Sequence, residues 1–263
     1  MSAEGAPEIF PRTAARPMAS VRSRAEGDKE LALVELKAMK AKRLGVIVIG
    51  QSPRPDVVAQ IRKIAGENCD IELRGALDGM SRAEIDGTGL ADGFDVLFTR
   101  LSDGAAIKIA KGAVERGAKS AIGNFLADGV AFVMLFCTND FPSLAAEHPG
   151  VLLPANILAN LVRGLPSNAR LGLFVPLAEH VGRRDSRWPG DRLQIKSVPL
   201  APGSSESGVD EAAAQMSAFS PDFVVMDCMS YTPAMKERVQ RTLRAPAILG
   251  IEAAARLLRQ SVA

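Results

Sequence analysis

Short apolar runs alternate with helix-like segments along most of this chain, and that alternation restricts its fold more than any other feature. The run LGVIVIG (Leu44–Gly50) is almost continuously apolar and rich in β-branched residues, which is typical of a strand buried on both faces. The segment after it carries Pro55, which suits a first helical turn, followed by an apolar stripe. Strands that alternate with helices predict an α/β fold with a mainly parallel sheet.

Further runs of the same kind extend this pattern to the end of the chain. Strands are predicted at Asp70–Ala76, Asp95–Leu101, Ala131–Cys137, Arg170–Pro176, Arg192–Val198, Phe223–Cys228 and Pro246–Gly250. Helical segments are predicted within Lys108–Gly129 and at Ile157–Arg163, Val209–Phe219 and Ile251–Ser261.

Two pairs of these runs match each other in sequence. LGVIV (Leu44–Val48) corresponds to LGLFV (Leu171–Val175) at an offset of 127 residues, and FVMLFC corresponds to FVVMDC at an offset of 91. Because the matches occur in the same order and at strand positions, we predict two pseudo-symmetric α/β lobes with an active-site cleft between them. The offsets differ by 36 residues, which indicates an insertion in the first half, around DGMSRAEIDGTGLADG.

The domain boundaries follow from this repeat. We predict a first lobe over residues 44–165, a second lobe over 166–245, and a C-terminal strand and helix over 246–263 that could return to pack on the first lobe. Residues 1–27 mix Pro, Ala, Ser and Arg without apolar periodicity, which predicts a mobile tail. A short helix is predicted over residues 28–43.

Composition argues against several classes of protein. The net charge is only +2, and the chain has one Tyr and one Trp, so we expect no nucleic-acid partner. The longest apolar runs, of about eight residues, are far shorter than the roughly 20 that a membrane helix needs. Three cysteines do not form a disulfide framework, so we expect a reducing, cytoplasmic location. The sequence leaves open whether the chain forms a homo-oligomer.

Common cofactor and nucleophile motifs are missing from the sequence. Two histidines and no CxxC spacing argue against a metal site. Neither GxGxxG nor GxxxxGK[ST] occurs, so nucleotide-binding fingerprints are absent, and the GxSxG elbow of a hydrolase is absent as well. We therefore predict a site without a metal or an organic cofactor.

Cys137 and Cys228 end the two matched runs FVMLFC and FVVMDC. Ligands gather at the carboxyl ends of parallel strands, so two facing lobes would bring both thiols to one cleft. One thiolate could then remove a proton from a carbon while the other thiol delivers one to the opposite face. The alternative is that both are small core residues, since free cysteine is among the most buried residue types.

Polar residues that follow the matched strands are candidates for binding a substrate. They are Gln51, Ser52, Arg54, Thr138, Asn139, Tyr231 and Thr232. Arg54 could pair with a carboxylate through two parallel hydrogen bonds. Thr138 and Asn139 could donate to an oxyanion or cap the next helix, and Tyr231 and Thr232 could close the other side of the cleft or pack in the core. His180 is expected at the surface.

The segments GQSPRPDV, TRLSDG, CTNDF and DCMSYT resemble the AroM family, which is similar to the aspartate/glutamate racemase superfamily. The resemblance covers about residues 44 to 260. It implies two pseudo-symmetric lobes with one cysteine each, and a racemase-like scaffold that needs no cofactor. The second cysteine departs from the usual racemase signature, because Asp227 precedes it and Met229 follows it.

The sequence and the resemblance together predict a racemase-like isomerase that acts on a small carboxylate-bearing molecule. A cysteine-dependent lyase or cis–trans isomerase of a small carboxylic acid is the nearest alternative. A protein that binds or senses a small molecule on the same scaffold, without turnover, is the alternative from a different class.

Overall fold

The computed structural model describes residues 43–66, 69–89, 95–130, 132–182 and 187–262. Its helices and mainly parallel strands confirm the predicted α/β class. The predicted N-terminal tail and all but the last residue of the predicted helix over 28–43 lie outside the described residues. In the described part of the chain, no helix is long and apolar enough to cross a membrane.

The first lobe is built on a three-stranded parallel sheet in the order β2-β1-β5. Its strands are β1 (Arg43–Val48), β2 (Asp70–Gly75) and β5 (Phe132–Phe136). Every residue of β1 after the first is buried, which agrees with its unbroken apolar run. Helix α1 (Pro55–Ala65) makes the crossover from β1 to β2 and begins at the proline that the sequence places there.

The second lobe is built on a four-stranded parallel sheet in the order β7-β6-β8-β9. Its strands are β6 (Arg170–Val175), β7 (Gln194–Pro199), β8 (Phe223–Met226) and β9 (Ala247–Leu249). The register repeats that of the first lobe, because Leu44 pairs with Phe132 and Leu171 with Phe223. The sequence repeat is therefore also a repeat of strand pairing.

The insertion in the first lobe consists of a short helix and an antiparallel hairpin: α2 (Arg82–Asp86), β3 (Val96–Arg100) and β4 (Ala106–Ala110). It lies between β2 and helix α3 (Lys111–Ala127). The second lobe passes at the same point from β7 to helix α6 (Glu206–Ser217) through residues 200–205 alone. Part of the predicted insertion, residues 90–94, lies outside the described residues.

Two expectations for this region need correction. The strand predicted at Asp95–Leu101 does not join the parallel sheet, because β3 pairs with β4 instead. The helix predicted within Lys108–Gly129 begins only at Lys111, since β4 occupies the preceding five residues. An apolar run predicts a strand but does not identify its partner, and hairpin and sheet strands look alike in sequence.

The same glycine in each lobe lets a helix approach the central strand closely. A Cβ on Gly45 of β1 would lie 3.0 Å from the Phe125 ring of α3, and a Cβ on Gly172 of β6 would lie 3.0 Å from Met216 Sδ of α6. A larger residue at either position would push the helix away from the sheet. The matched LG dipeptides thus reflect the same close packing in both lobes.

Four further helices complete the fold: α4 (Pro142–Glu147), α5 (Pro154–Arg163), α7 (Pro233–Leu243) and α8 (Gly250–Val262). Helix α5 follows a first-lobe strand but buries Leu158 and Val162 in a core cluster of the second sheet. Helix α8 follows a second-lobe strand and packs against α1 of the first lobe. Each lobe is therefore covered in part by a helix that leaves the other sheet.

Candidate active site

The two thiols lie just beyond the carboxyl ends of β5 and β8, in the same local backbone geometry. The Cys137 N–H donates to the Leu135 carbonyl at 2.8 Å, and the Cys228 N–H donates to the Met226 carbonyl at 3.0 Å. The backbone N–H of Asn139 donates to Cys137 Sγ at 3.4 Å. Ser230, two residues after Cys228, lowers the pKa of the Cys228 thiol. Each thiol is thus influenced by the residue two positions further along the chain.

One cavity of about 840 Å³ contains both cysteines in its wall. Its lining comes from the strand ends of both lobes, from the inserted hairpin and from the loop between β6 and β7. The sequence pattern alone left open whether the cysteines are separate core residues. The shared cavity brings the two cysteine segments together, as a cleft between the lobes requires.

Burial controls the protonation of both thiols. It raises the pKa of the Cys137 thiol to about 11; the Asn139 N–H and the cations Arg187 and Lys111 oppose this shift, and Asp227 adds to it. It raises the pKa of the Cys228 thiol to about 12, with Ser230 opposing the shift and with Cys137 and Asp227 adding to it. Both cysteines are therefore neutral thiols at neutral pH.

A buried ion pair connects the two cysteine segments. The Arg187 guanidinium donates to both carboxylate oxygens of Asp227, at 3.1 and 2.8 Å. It also donates to the backbone carbonyl of Thr138 and lies over the Trp188 ring, 4.6 Å from its centroid. The Arg187 and Asp227 side chains are only 7% and 8% exposed. Arg187 thus connects Thr138, the residue after Cys137, with Asp227, the residue before Cys228.

Three of the seven predicted binding residues line the cavity beside the thiols, namely Arg54, Thr138 and Asn139. The Arg54 guanidinium already forms the two-pronged pairing predicted for it, but with Asp56, at 2.9 and 2.6 Å. Asn139 Oδ1 is buried, and among the described residues it has no hydrogen-bond partner. A buried, unsatisfied amide oxygen in a cavity wall is suited to accept a hydrogen bond from a ligand.

The loop residues Gln51 and Ser52 do not line the cavity, because their side chains stabilise the first lobe. Gln51 Nε2 donates to the carbonyls of Leu77 and Met80, at 3.2 and 2.8 Å. Ser52 donates from its hydroxyl and its backbone N–H to the Asp78 carboxylate, each at 2.7 Å. Their expected contact with substrate is replaced by a role in fixing the turn after β2.

Tyr231 and Thr232 are likewise outside the cavity that contains the thiols. Tyr231 is fully buried, and its hydroxyl donates to the Leu200 carbonyl at 2.6 Å. The Thr232 side chain caps helix α7 by accepting from the Met235 N–H at 3.3 Å. Of the two roles left open for this pair, the geometry favours packing for Tyr231 and capping for Thr232.

Sequence reasoning missed several residues of the cavity wall. Arg187 belongs to an arginine-rich loop that is typical of solvated surface. Asp227 was noticed only as a departure from the racemase signature, although an acid directly before a cysteine at a strand end was the available signal. His180, expected at the surface, is buried, and its Nε2 lies 2.8 Å from the Val96 carbonyl. Lys111, at the start of α3, acts on the Cys137 thiol.

The described residues contain no group of three or more His, Cys, Asp or Glu side chains placed to hold a metal ion. Among the described residues, the acid–base groups that line the cavity are the two thiols, the ion-paired carboxylate of Asp227, the exposed carboxylate of Asp191 and the imidazole of His180. Such an arrangement can transfer protons and bind a carboxylate.

Residues 44–262 match the family profile described as AroM protein. A search of curated proteins finds no match. Among solved structures, allantoin racemase from Pseudomonas fluorescens is similar with a TM-score of 0.53 and 11% identity, over 84% of this chain and 90% of that chain. Glutamate racemase from Francisella tularensis, in complex with D-glutamate, is similar with a TM-score of 0.51 and 14% identity, over 84% and 81%.

A glycine-to-cysteine mutant of arylmalonate decarboxylase, in a sulfate-associated form, is similar with a TM-score of 0.53 and 16% identity. The match covers 84% of this chain and 94% of that chain. At such low identity these likenesses show the fold, and the fold is the racemase-like arrangement predicted from the sequence.

Proposed function

We propose that the chain, which belongs to the AroM protein family and has the fold of racemases, is a racemase-like isomerase. It moves a proton at a carbon of a small carboxylate substrate, with Cys137 and Cys228 as the acid–base pair. In this proposal the two thiols alone transfer the proton, and the exchange calls for no redox cofactor because it involves no change in oxidation state.

The observation that carries this proposal is that both thiols line one cavity. They occupy equivalent positions on two lobes with the same strand register. A substrate held between equivalent positions presents opposite faces of its reacting carbon to the two sulfurs. A core-filling role for either cysteine would not require this matching.

The reaction takes place in two steps. The reacting state is the minor one in which one cysteine has released its proton to solvent, since both thiols are mostly neutral at pH 7. Its thiolate takes the proton from the substrate carbon, and the electron pair of the C–H bond moves into the neighbouring carboxylate to give an enolate. The other thiol then donates its proton to the opposite face of that carbon, so the electron pair forms a new C–H bond. The two cysteines end with exchanged protonation states, and the configuration of the carbon is inverted.

Cys137 is the better candidate for the thiolate before the first step. Against the larger effect of burial, its pKa is lowered by the Asn139 N–H, which donates to the sulfur at 3.4 Å, and by the cations Arg187 and Lys111.

The substrate carboxylate is bound by donors at the polar end of the cavity. Arg54 lines that end and already presents a two-pronged guanidinium geometry, now paired with Asp56, whose side chain is 61% exposed. An exposed carboxylate gains little from such a pair, so a substrate carboxylate can displace it. Asn139 Oδ1 would accept from a hydroxyl or amino group on the reacting carbon.

A lyase that uses one cysteine is the second candidate. Both thiols are neutral at neutral pH, since burial raises both pKa values, and a decarboxylase needs only one neutral thiol. There the substrate carries two carboxylates on one carbon: the C–C bond to one of them breaks, CO₂ leaves, and the electron pair moves into the other to give an enolate, whose carbon takes the thiol proton. Water then returns a proton to the thiolate.

Solvent deuterium exchange, followed by NMR over a panel of α-substituted carboxylic acids, tests the proposal. Wild type should exchange the α-hydrogen of at least one acid and interconvert its enantiomers. Cys137→Ser and Cys228→Ser should each slow the interconversion by about 10²–10⁴-fold, the usual contribution of a positioned acid or base. Cys69→Ser is the matched control, because Cys69 is buried but does not line the cavity.

Other outcomes would identify the alternatives. Release of CO₂ that depends on only one of the two cysteines would support the lyase. An acid that binds equally well to wild type and to both serine variants, without any exchange, would support a binding protein and overturn the isomerase.

A further inference from the structure

The crossover between the first two strands of the sheet differs between the lobes. In the first lobe, helix α1 buries Val57 and Ile61 in the core cluster that contains Val46 and Val48 of β1. In the second lobe, residues 176–193 connect β6 to β7, and their described part contains only one short 3₁₀ turn. No described helix of that connection covers the second sheet as α1 covers the first.

The strand face left without such a helix is apolar and forms part of the cavity. Leu173 and Val175 are the second-lobe equivalents of Val46 and Val48, and they line the cavity that contains the thiols. Ile195 of β7 lies beside Leu171 in the sheet and lines the cavity as well. We call the part of the cavity lined by Leu173, Val175, Trp188, Leu193 and Ile195 the apolar chamber.

The polar groups near this chamber are already bonded or exposed. The Ser197 hydroxyl accepts from the Gly182 N–H at 2.8 Å. His180 Nε2 is bonded to the Val96 carbonyl at 2.8 Å. Asp191 is exposed to solvent. Among the described residues, the cation beside Trp188 is Arg187, which is already paired with Asp227. The wall therefore favours an apolar group over a further ion, which would lose its hydration there.

The inserted hairpin closes the chamber from the first lobe. Leu97 and Phe98 of β3 line the same cavity. Lys108 of β4 forms an ion pair with Glu179 in the β6–β7 loop. Glu179 and Gly182 of the loop are thus held by β4 and β7, and the hairpin contributes part of the cavity wall next to the chamber.

We infer that the substrate carries a bulky apolar group, aromatic or branched aliphatic, on the carbon next to its carboxylate. This inference rests on the proposed function and adds the substrate class to it. The carboxylate lies at the end with Arg54 and Asn139, the reacting carbon lies between the sulfurs, and the apolar group lies in the chamber. The cavity volume of about 840 Å³ is near the upper end of the roughly 300–1,000 Å³ of sites for drug-sized ligands.

Gly190 offers a way to fill the chamber without disturbing the core. It lines the cavity, and a Cβ built on it would have Ile195 Cδ1 as its neighbour, at 4.0 Å, an ordinary contact distance. Gly190→Leu therefore places a side chain beside Ile195 inside the chamber. Gly123→Leu is the matched control, because Gly123 is exposed in α3 and a Cβ there would meet nothing within 4 Å.

Calorimetric titration of the full-length Cys137→Ser/Cys228→Ser chain measures binding without turnover. The ligands are 2-methylbutanoate, 2-methylhexanoate, 2-phenylpropanoate and, as a polar comparison, malate. Affinity should rise about fourfold per buried methylene, and malate should bind more weakly than the phenyl acid. In the Gly190→Leu background, the preference for the phenyl acid over 2-methylbutanoate should fall about tenfold, close to the loss of two buried methylenes. Gly123→Leu should keep that preference.

The outcomes separate this inference from the proposed function. Affinities that do not depend on the apolar group, or tighter binding of malate, overturn the inference, and so does an absence of binding by all four acids. Deuterium exchange in wild type with short polar acids alone supports the isomerase and overturns the apolar substrate. Tight binding of the phenyl acid without exchange of any acid supports the chamber and overturns the isomerase.

Discussion

In the first lobe the residue before the cysteine is Phe136, which packs in the apolar core, whereas the equivalent residue in the second lobe is Asp227, which is ion-paired with Arg187. The backbone at the two cysteines is otherwise similar, since each cysteine N–H donates to the carbonyl two residues before it. The repeat therefore fixes where the thiols lie, and the differences between the copies decide how they behave. The two thiols of this duplicated scaffold therefore lie in different electrostatic surroundings.

The largest effect should come from breaking the buried Arg187–Asp227 pair. Arg187→Met would leave the Asp227 carboxylate buried without its main cation, and we expect the free energy of unfolding to fall by about 3–5 kcal/mol. Urea titration measures it. Arg54→Met is the matched control, because its partner Asp56 is 61% exposed and such a pair contributes about 0–1 kcal/mol.

The double variant Arg187→Met/Asp227→Leu tells whether stability or function requires the pair. We expect it to recover much of the stability lost in Arg187→Met, since the variant no longer buries the Asp227 charge without its cation. It should not recover deuterium exchange, because the pair also fixes the Thr138 carbonyl next to the first thiol. Full recovery of both stability and deuterium exchange would contradict a functional role for the ion pair, which only the second cysteine segment contains.

The next largest effect should come from Gly250, which lies at the start of α8 between the two cysteine segments. A Cβ there would lie 2.8 Å from Thr138 Cγ2 and 3.4 Å from Met229 Sδ. Gly250→Ala should therefore lower the free energy of unfolding by about 1–3 kcal/mol through overpacking. Adding Thr138→Ser removes the clashing methyl group and should restore most of it. Thermal unfolding of the three variants measures both changes, and a cost that Thr138→Ser does not relieve would place the clash elsewhere.

Alkylation by iodoacetamide, read by mass spectrometry, compares the two thiols directly. Because burial raises the pKa of Cys137 to about 11 and that of Cys228 to about 12, the reactive thiolate is the minor form of both at pH 7–10. Each rate should rise about tenfold per pH unit in that range. Cys137 should react about threefold faster, since its larger thiolate fraction is partly offset by its lower nucleophilicity. A rate plateau below pH 9 would mean that the site stabilises a thiolate.

The smallest effect should come from Lys111, one of the cations that lower the pKa of Cys137. Lys111→Met should slow alkylation of Cys137 by about twofold at a fixed pH and leave Cys228 unaffected. Lys119→Met, in the same helix but ion-paired with Glu147, serves as the control. Equal slowing of both cysteines would indicate a general change in access to the cavity instead.

The sheets could be predicted from sequence because buried parallel strands leave long apolar runs. The repeat was detectable because the same packing demand, a glycine under a helix, recurs at Gly45 and Gly172. The pairing of β3 with β4 was not predictable, since alternation and apolarity do not encode which strand a given run meets. The family resemblance predicted from the same residues is confirmed over residues 44–262.

The candidate site was predictable only in part. Residues next to strand ends were good candidates, but a position after a strand does not tell whether a side chain points into the cleft. Gln51 points to the turn after β2, and Tyr231 points into the core. Arg187 was missed because its partners, Asp227 and the Thr138 carbonyl, are 40 and 49 residues away in the chain. Long-range pairing of this kind leaves no local pattern.

The return of α8 to the first lobe has a consequence for how the chain is made. Ile251, Ala254 and Leu258 of α8 share a core cluster with Val57 and Ile61 of α1, yet they leave the ribosome some 190 residues later. During synthesis the apolar face of α1 has no final partner until α8 emerges. Folding of the first lobe should therefore finish only once α8 has emerged, and a nascent chain stalled before Gly250 should be a better chaperone substrate than one that includes α8.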